Sequence, residues 1–81
     1  MSKAKFSPAY DRLRELLLAA RRSAGLRQAD VAKRLRVHQS FISKVEAGER
    51  RLDVVEFIRF AEAIGVDPAK IVKAISRIAT R

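Results

Sequence analysis

The chain has no cysteine and a single histidine among its 81 residues. Without cysteine there are no disulfides, no thiolate metal ligands and no sulfur nucleophile, and one histidine cannot assemble a metal site unaided. Most enzyme classes lose their reactive groups here, so no catalytic residue, metal or cofactor is expected. Long apolar runs are missing too. Stretches such as Leu16-Leu17-Leu18-Ala19-Ala20 fall far below the ~18 residues of a membrane span. Lys3 and Lys5 are not followed by an apolar segment with a small-residue cleavage site, so no secretory signal is expected and the chain reads as cytoplasmic.

Positive charge is what the chain has in excess. It carries 18 Lys and Arg against 9 Asp and Glu, a formal charge of +9. At 48% hydrophobic residues it is too apolar for a disordered basic tail, and its length suits one folded domain. Such a domain attracts nucleic acid, an anionic membrane surface or an acidic protein. The charge is uneven along the chain: +4 over residues 1–26, +4 over 27–51, −3 over 52–68 and +4 over 69–81. That pattern suits a domain with one DNA-facing side and one scaffolding side.

Residues 1–8 form a basic N-terminal arm, and residues 9–81 the folded domain. Lys3 and Lys5 fit either an unstructured end or an arm that wraps DNA. Ser7-Pro8 pairs a cap residue with proline at the first helical position, and Leu13, Leu16, Leu17, Ala20 and Ala24 then follow one helical face to Gly25. Ala29, Val31, Ala32 and Leu35 mark a second helix. Phe41, Ile42 and Val45 mark a third, ended by Gly48. Asp53 and Glu56 resemble a capping box that opens a fourth helix, with Val54, Phe57, Ile58, Phe60, Ala61 and Ile64 inward or half inward. Asp67-Pro68 repeats the start signal for a last helix over 68–79. No sustained period-2 alternation occurs, so the expected class is all-α with five helices.

Gln28 to Glu46 is the informative stretch. Two helices of about eight residues are separated by a short turn, which is helix-turn-helix spacing, and Ala32 is the small side chain that closely crossing helices require. Val37, Ile42 and Val45 are expected to fill the angle between them. Gln39, Ser40, Ser43 and Lys44 then face outward.

Three blocks, Gly25 to Ala32, Gln39 to Arg50 and Phe60 to Pro68, resemble the Cro-type (XRE-like) helix-turn-helix transcriptional regulators, whose fold is that of the lambda phage repressor DNA-binding domain. The resemblance covers roughly residues 10–75. It implies a five-helix domain with the helix-turn-helix at helices 2 and 3, binding double-stranded operator DNA, commonly as a homodimer on a palindrome. It also implies roles residue by residue. Gln39, Ser40, Ser43 and Lys44 would read bases. Gln28, Arg50 and Arg51 would hold phosphates, with Arg36 and His38 beside them. Arg21 and Glu46 would form a partly buried scaffold salt bridge.

The chain departs from that pattern in the turn, where Arg36 replaces the usual glycine, and at two cap positions. Arg27 and His38 stand where Ser or Thr is usual, so those helix starts are expected to fray without DNA. Phe41, Phe57 and Phe60 read as core. In the last helix Ile71, Ile75 and Ile78 form an apolar stripe flanked by basic residues. It reads either as closing the subunit or as a dimer interface, and the dimer is favoured because one helix-turn-helix makes few base contacts. The expected function is transcriptional regulation, most simply repression. The alternative is an antitoxin-type or controller protein that binds a partner protein and autoregulates its operon.

Overall fold

The computed structural model describes residues 7–79, so Lys3 and Lys5 of the arm lie outside the described residues. Five helices follow in order: α1 (Pro8–Ser23), α2 (Gln28–Leu35), α3 (Gln39–Glu46), α4 (Val54–Ala63) and α5 (Pro68–Ala79). There is no strand among the described residues, and the class is all-α.

Local chemistry explains the helix starts. The Ser7 hydroxyl accepts from the Tyr10 N–H at 3.1 Å ahead of Pro8. Asp53 and Glu56 satisfy one another's backbone N–H groups at 2.7 and 2.9 Å, closing the capping box. At α5 the Asp67 carboxylate accepts from the Ala69 N–H at 2.9 Å. Fraying is expected at α2 and α3 for want of Ser or Thr, yet both starts carry caps of another kind. Asp30 reaches back to the Arg27 N–H at 2.8 Å and to its guanidinium at 2.9 Å. His38 Nδ1 accepts from the Ser40 N–H at 3.3 Å.

The turn between α2 and α3 keeps the left-handed geometry with an arginine in it: Arg36 has φ 58° and ψ 43°. A residue with a Cβ loses roughly 1–2 kcal/mol in that conformation. In return the turn closes, with the Val37 N–H bonded to the Ala32 carbonyl at 3.0 Å. At the end of α3, Gly48 takes φ +82°, and a Cβ there would lie 3.3 Å from the Arg14 guanidinium. That guanidinium donates to the Glu46 carbonyl at 2.8 Å, fastening α1 to the last turn of α3.

Leu17, Val31, Ala32, Ile42, Val45, Phe57, Phe60, Ala61, Ile64 and Ile71 make one core drawn from all five helices. Burying an aliphatic side chain of this size contributes about 1.5–3 kcal/mol, and Phe60, wholly buried, is the position where truncation to alanine costs most, ~3–5 kcal/mol. Three inward expectations are corrected, and the first is Ile58, exposed on the outer side of α4 beside the same groove as Val54. Val37 is exposed, because it follows the left-handed residue and lies at the rim with Leu35, Phe41 and Arg59. Val54, in the first turn of α4, is also exposed beside an open groove. α5 packs on α1 and α4, with Ile71 inside the subunit core and Ile75 and Ile78 half-buried.

Candidate nucleic-acid interface

The site is built on an ion pair. Arg21 of α1 and Glu46 of α3 are both buried. They meet through two parallel bonds, Nε to Oε2 at 2.5 Å and Nη2 to Oε1 at 2.9 Å, the bidentate geometry that makes arginine–carboxylate pairs strong. The third nitrogen, Nη1, donates to the Leu26 carbonyl at 2.7 Å. The pair thereby ties α1, the loop before α2 and the end of α3 into one unit.

The network continues outward from Glu46. Gln28, the first residue of α2, donates its Nε2 to Glu46 Oε1 at 2.9 Å. Because the carboxylate accepts only, this contact settles which end of the Gln28 amide faces inward, and its oxygen is left outside. Gln39, the first residue of α3, donates Nε2 to that oxygen at 3.5 Å. A chain therefore runs from the buried pair to the exposed surface of α3.

Along that surface, Gln39, Ser40 and Lys44 are exposed and Ser43 is half-buried. Ser43 donates to the Ser40 carbonyl at 3.2 Å. Lys44 and Arg36 have no ion pair among the described residues. Since His38 Nδ1 is the acceptor that caps α3, the neutral ring carries its proton on Nε2, which remains available as a donor.

The two arginines after α3 lie against the protein. Arg50 sits over the Phe41 ring at 5.0 Å and makes a paired contact with Glu56, Nη2 to Oε2 at 2.8 Å and Nη1 to Oε1 at 3.1 Å. The Arg50 guanidinium and the Asp53 N–H both donate to Glu56 and hold its carboxyl below the usual range. Arg51 stacks over Tyr10 of α1 at 4.7 Å. Glu56 and Tyr10 are partners that sequence reasoning missed. Glu56 was legible as a capping residue, but no helical period links it to a loop arginine six positions earlier. Arg34 was missed as well: it donates to the Ala63 carbonyl at 2.7 Å, linking α2 to the end of α4.

An all-α domain whose two short helices meet at a tight turn, the second carrying an exposed amide, hydroxyls and an ammonium group, is a DNA-binding helix-turn-helix domain. A family model described as a helix-turn-helix domain matches residues 12–72, and the chain belongs to that family, as an XRE-like regulator. Among solved structures, it is similar to an "XRE-family like protein from Pseudomonas syringae pv. tomato str. DC3000", with 46% identity, a TM-score of 0.83, and coverage of 86% of this chain and 85% of that one. A search of curated proteins finds no match. No helix among the described residues is long and apolar enough to cross a membrane.

Proposed function

We propose that this DNA-binding regulator is a sequence-specific repressor that lays α3 in the major groove and binds a palindromic operator as a homodimer. The observation that carries the reading is the oriented amide of Gln39. One of its amide hydrogens is directed at Gln28, which leaves the other hydrogen and Oε1 as a donor–acceptor pair. That pair matches N7 and N6–H of adenine, whereas guanine offers two acceptors. Lys44, free of ion pairs among the described residues, suits the guanine acceptors. Ser40 and Ser43 suit a neighbouring base or phosphate.

Gln28, Arg36, His38, Arg50 and Arg51 take the phosphates. The start of α2 adds the favourable end of a helix dipole. Two identical units then read two half-sites, which raises discrimination over competing sequences. Repression requires only that the occupied site overlap a promoter. Ile71 is taken up by the subunit core, and Ile75 and Ile78, half-buried on α5, are left to meet the second copy.

Selection of bound duplexes from a random pool tests the reading. An inverted repeat with adenine at one position per half-site is expected. Gln39→Ala should then relax preference at that position by ~1–3 kcal/mol and leave the others intact. Equal affinity for selected and random duplexes would overturn sequence-specific repression.

A further inference from the structure

The loop between α3 and α4 carries Arg50 and Arg51, and α1 holds it at both ends. At its start the Arg14 guanidinium donates to the Glu46 carbonyl at 2.8 Å and lies beside Gly48. At its far end the Tyr10 hydroxyl accepts from the Leu52 N–H at 3.1 Å. Tyr10 is itself fixed. It is buried, and its own N–H is the one that the Ser7 hydroxyl caps. The Arg51 guanidinium lies over its ring at 4.7 Å. A single side chain in the first turn of α1 therefore grips the loop by its backbone at Leu52 and by the neighbouring arginine.

The two arginines are held in different ways. Arg50 meets Glu56 through Nη1 and Nη2, so N–H groups that suit a phosphate are turned to a carboxylate instead. Arg51 meets an aromatic ring and is exposed. Stacking engages the flat face of a guanidinium, whereas its donors lie in the plane and project from the edge. A stacked arginine is thus oriented by a contact that does not compete with a phosphate for hydrogen bonds. Orientation beforehand also matters energetically, because ordering one long side chain on binding lowers affinity by about two- to tenfold.

We propose that Tyr10 is a positioning residue for DNA backbone contact: its hydroxyl fixes the loop at Leu52, and its ring holds the Arg51 guanidinium with the N–H edge ready for a phosphate. The inference rests on the reading of Arg51 as a phosphate contact and adds the α1 side chain that sets it. It also separates the two loop arginines, since Arg51 is set for DNA while Arg50 is held by an acidic neighbour.

Titration of a duplex of random sequence tests it, because backbone contact needs no operator and does not depend on repression or base reading. Tyr10→Leu is expected to weaken binding by about two- to tenfold, and Tyr10→Phe, which keeps the ring, should recover most of that loss. A Tyr10→Phe chain as weak as Tyr10→Leu would overturn the ring as the platform. Arg51→Ala should lower the salt slope by about one unit, and in that background Tyr10→Leu should cost no further affinity. A side chain needed only for folding would cost the same in both backgrounds. Additive losses would therefore overturn the inference while leaving Arg51 as a phosphate contact. An unchanged salt slope for Arg51→Ala would overturn that contact and the inference with it. Ring-current shifts of the Arg51 side-chain protons give a reading on the unaltered chain that no core substitution can disturb. They should persist when the protein is saturated with duplex, and their collapse would show Arg51 leaving Tyr10 to bind, which overturns the platform.

Discussion

Gln28 gives one end of its amide to the buried Glu46 carboxylate at 2.9 Å and the other to Gln39 at 3.5 Å. A scaffold ion pair and a surface glutamine are thereby parts of one network. The consequence is that orientation at the surface is set from inside the domain. Gln28→Ala should leave the fold intact, since Gln28 is only half-buried. It should weaken binding to every duplex through the lost phosphate contact and also blunt the adenine preference assigned to Gln39, since that amide would be free to turn over. A binding profile with unchanged preference would show that Gln39 orients itself.

Removing the inner end has a different signature. Glu46→Ala strands the buried Arg21 guanidinium with the Leu26 carbonyl as its remaining partner. Breaking a buried pair in this way costs ~3–5 kcal/mol, a large share of the stability of so small a domain. Denaturant unfolding should register the loss. A cost below about 1 kcal/mol would mean that Arg21 finds water.

In the proposed complex Arg50 would reach a phosphate only by leaving Glu56. Glu56→Gln keeps an acceptor for the Asp53 N–H and removes the competing charge, so binding to all sequences should tighten by about twofold or more, with a steeper salt dependence. Arg50→Ala should do the opposite, lowering the salt slope by about one unit without altering base preference. Titrations across a range of salt concentrations separate the two.

Arg36 holds a left-handed backbone with φ 58°. Arg36→Gly should relieve the strain and raise stability by about 1 kcal/mol, equivalent to roughly 4–8 °C in Tm for a domain of this size. The same change removes a positive charge beside α3, so DNA affinity should fall as stability rises. A melting scan and a binding isotherm on the one variant check both halves.

Acid sensitivity is expected at the start of α2. Hydrogen bonds from the Arg27 guanidinium and the Arg27 N–H lower the Asp30 carboxyl to about 2, below the ordinary aspartate value of about 3.9. Because the folded value is the lower one, the stabilisation is fully present above the unfolded value and is lost as pH falls through the folded one. Carboxyl chemical shifts should show Asp30 titrating near 2, with α2 loosening at its first turn over the same interval. Asp30→Asn should remove that transition at any pH.

The helices and their order were legible because each start carries a local signal that works without the rest of the chain: Ser7 before Pro8, Asp53 with Glu56, Asp67 before Pro68. Arginine and histidine caps carry no comparable signal. Their function depends on Asp30 reaching back from one turn later and on a ring nitrogen at His38 being unprotonated. Val54 marks the limit of periodicity. Its position fits the apolar face of α4, yet whether that face meets a neighbour at its first turn depends on where α5 crosses.

For the site, residue types and spacing alone singled out the outward face of α3 and Ala32 at the helix crossing, since both follow from two short helices with a tight turn between them. Partnerships across loops were beyond that reach. The pairing of Arg50 with Glu56, of Arg51 with Tyr10 and of Gln28 with Glu46 joins residues 6 to 41 positions apart, and no helical period encodes such distances. The surplus of positive charge narrowed the partner to something anionic, and the helix-turn-helix spacing pointed to DNA. Tertiary structure alone decided which of its charges are already spent on one another, because an ion pair is a matter of ångströms and a sequence records only order.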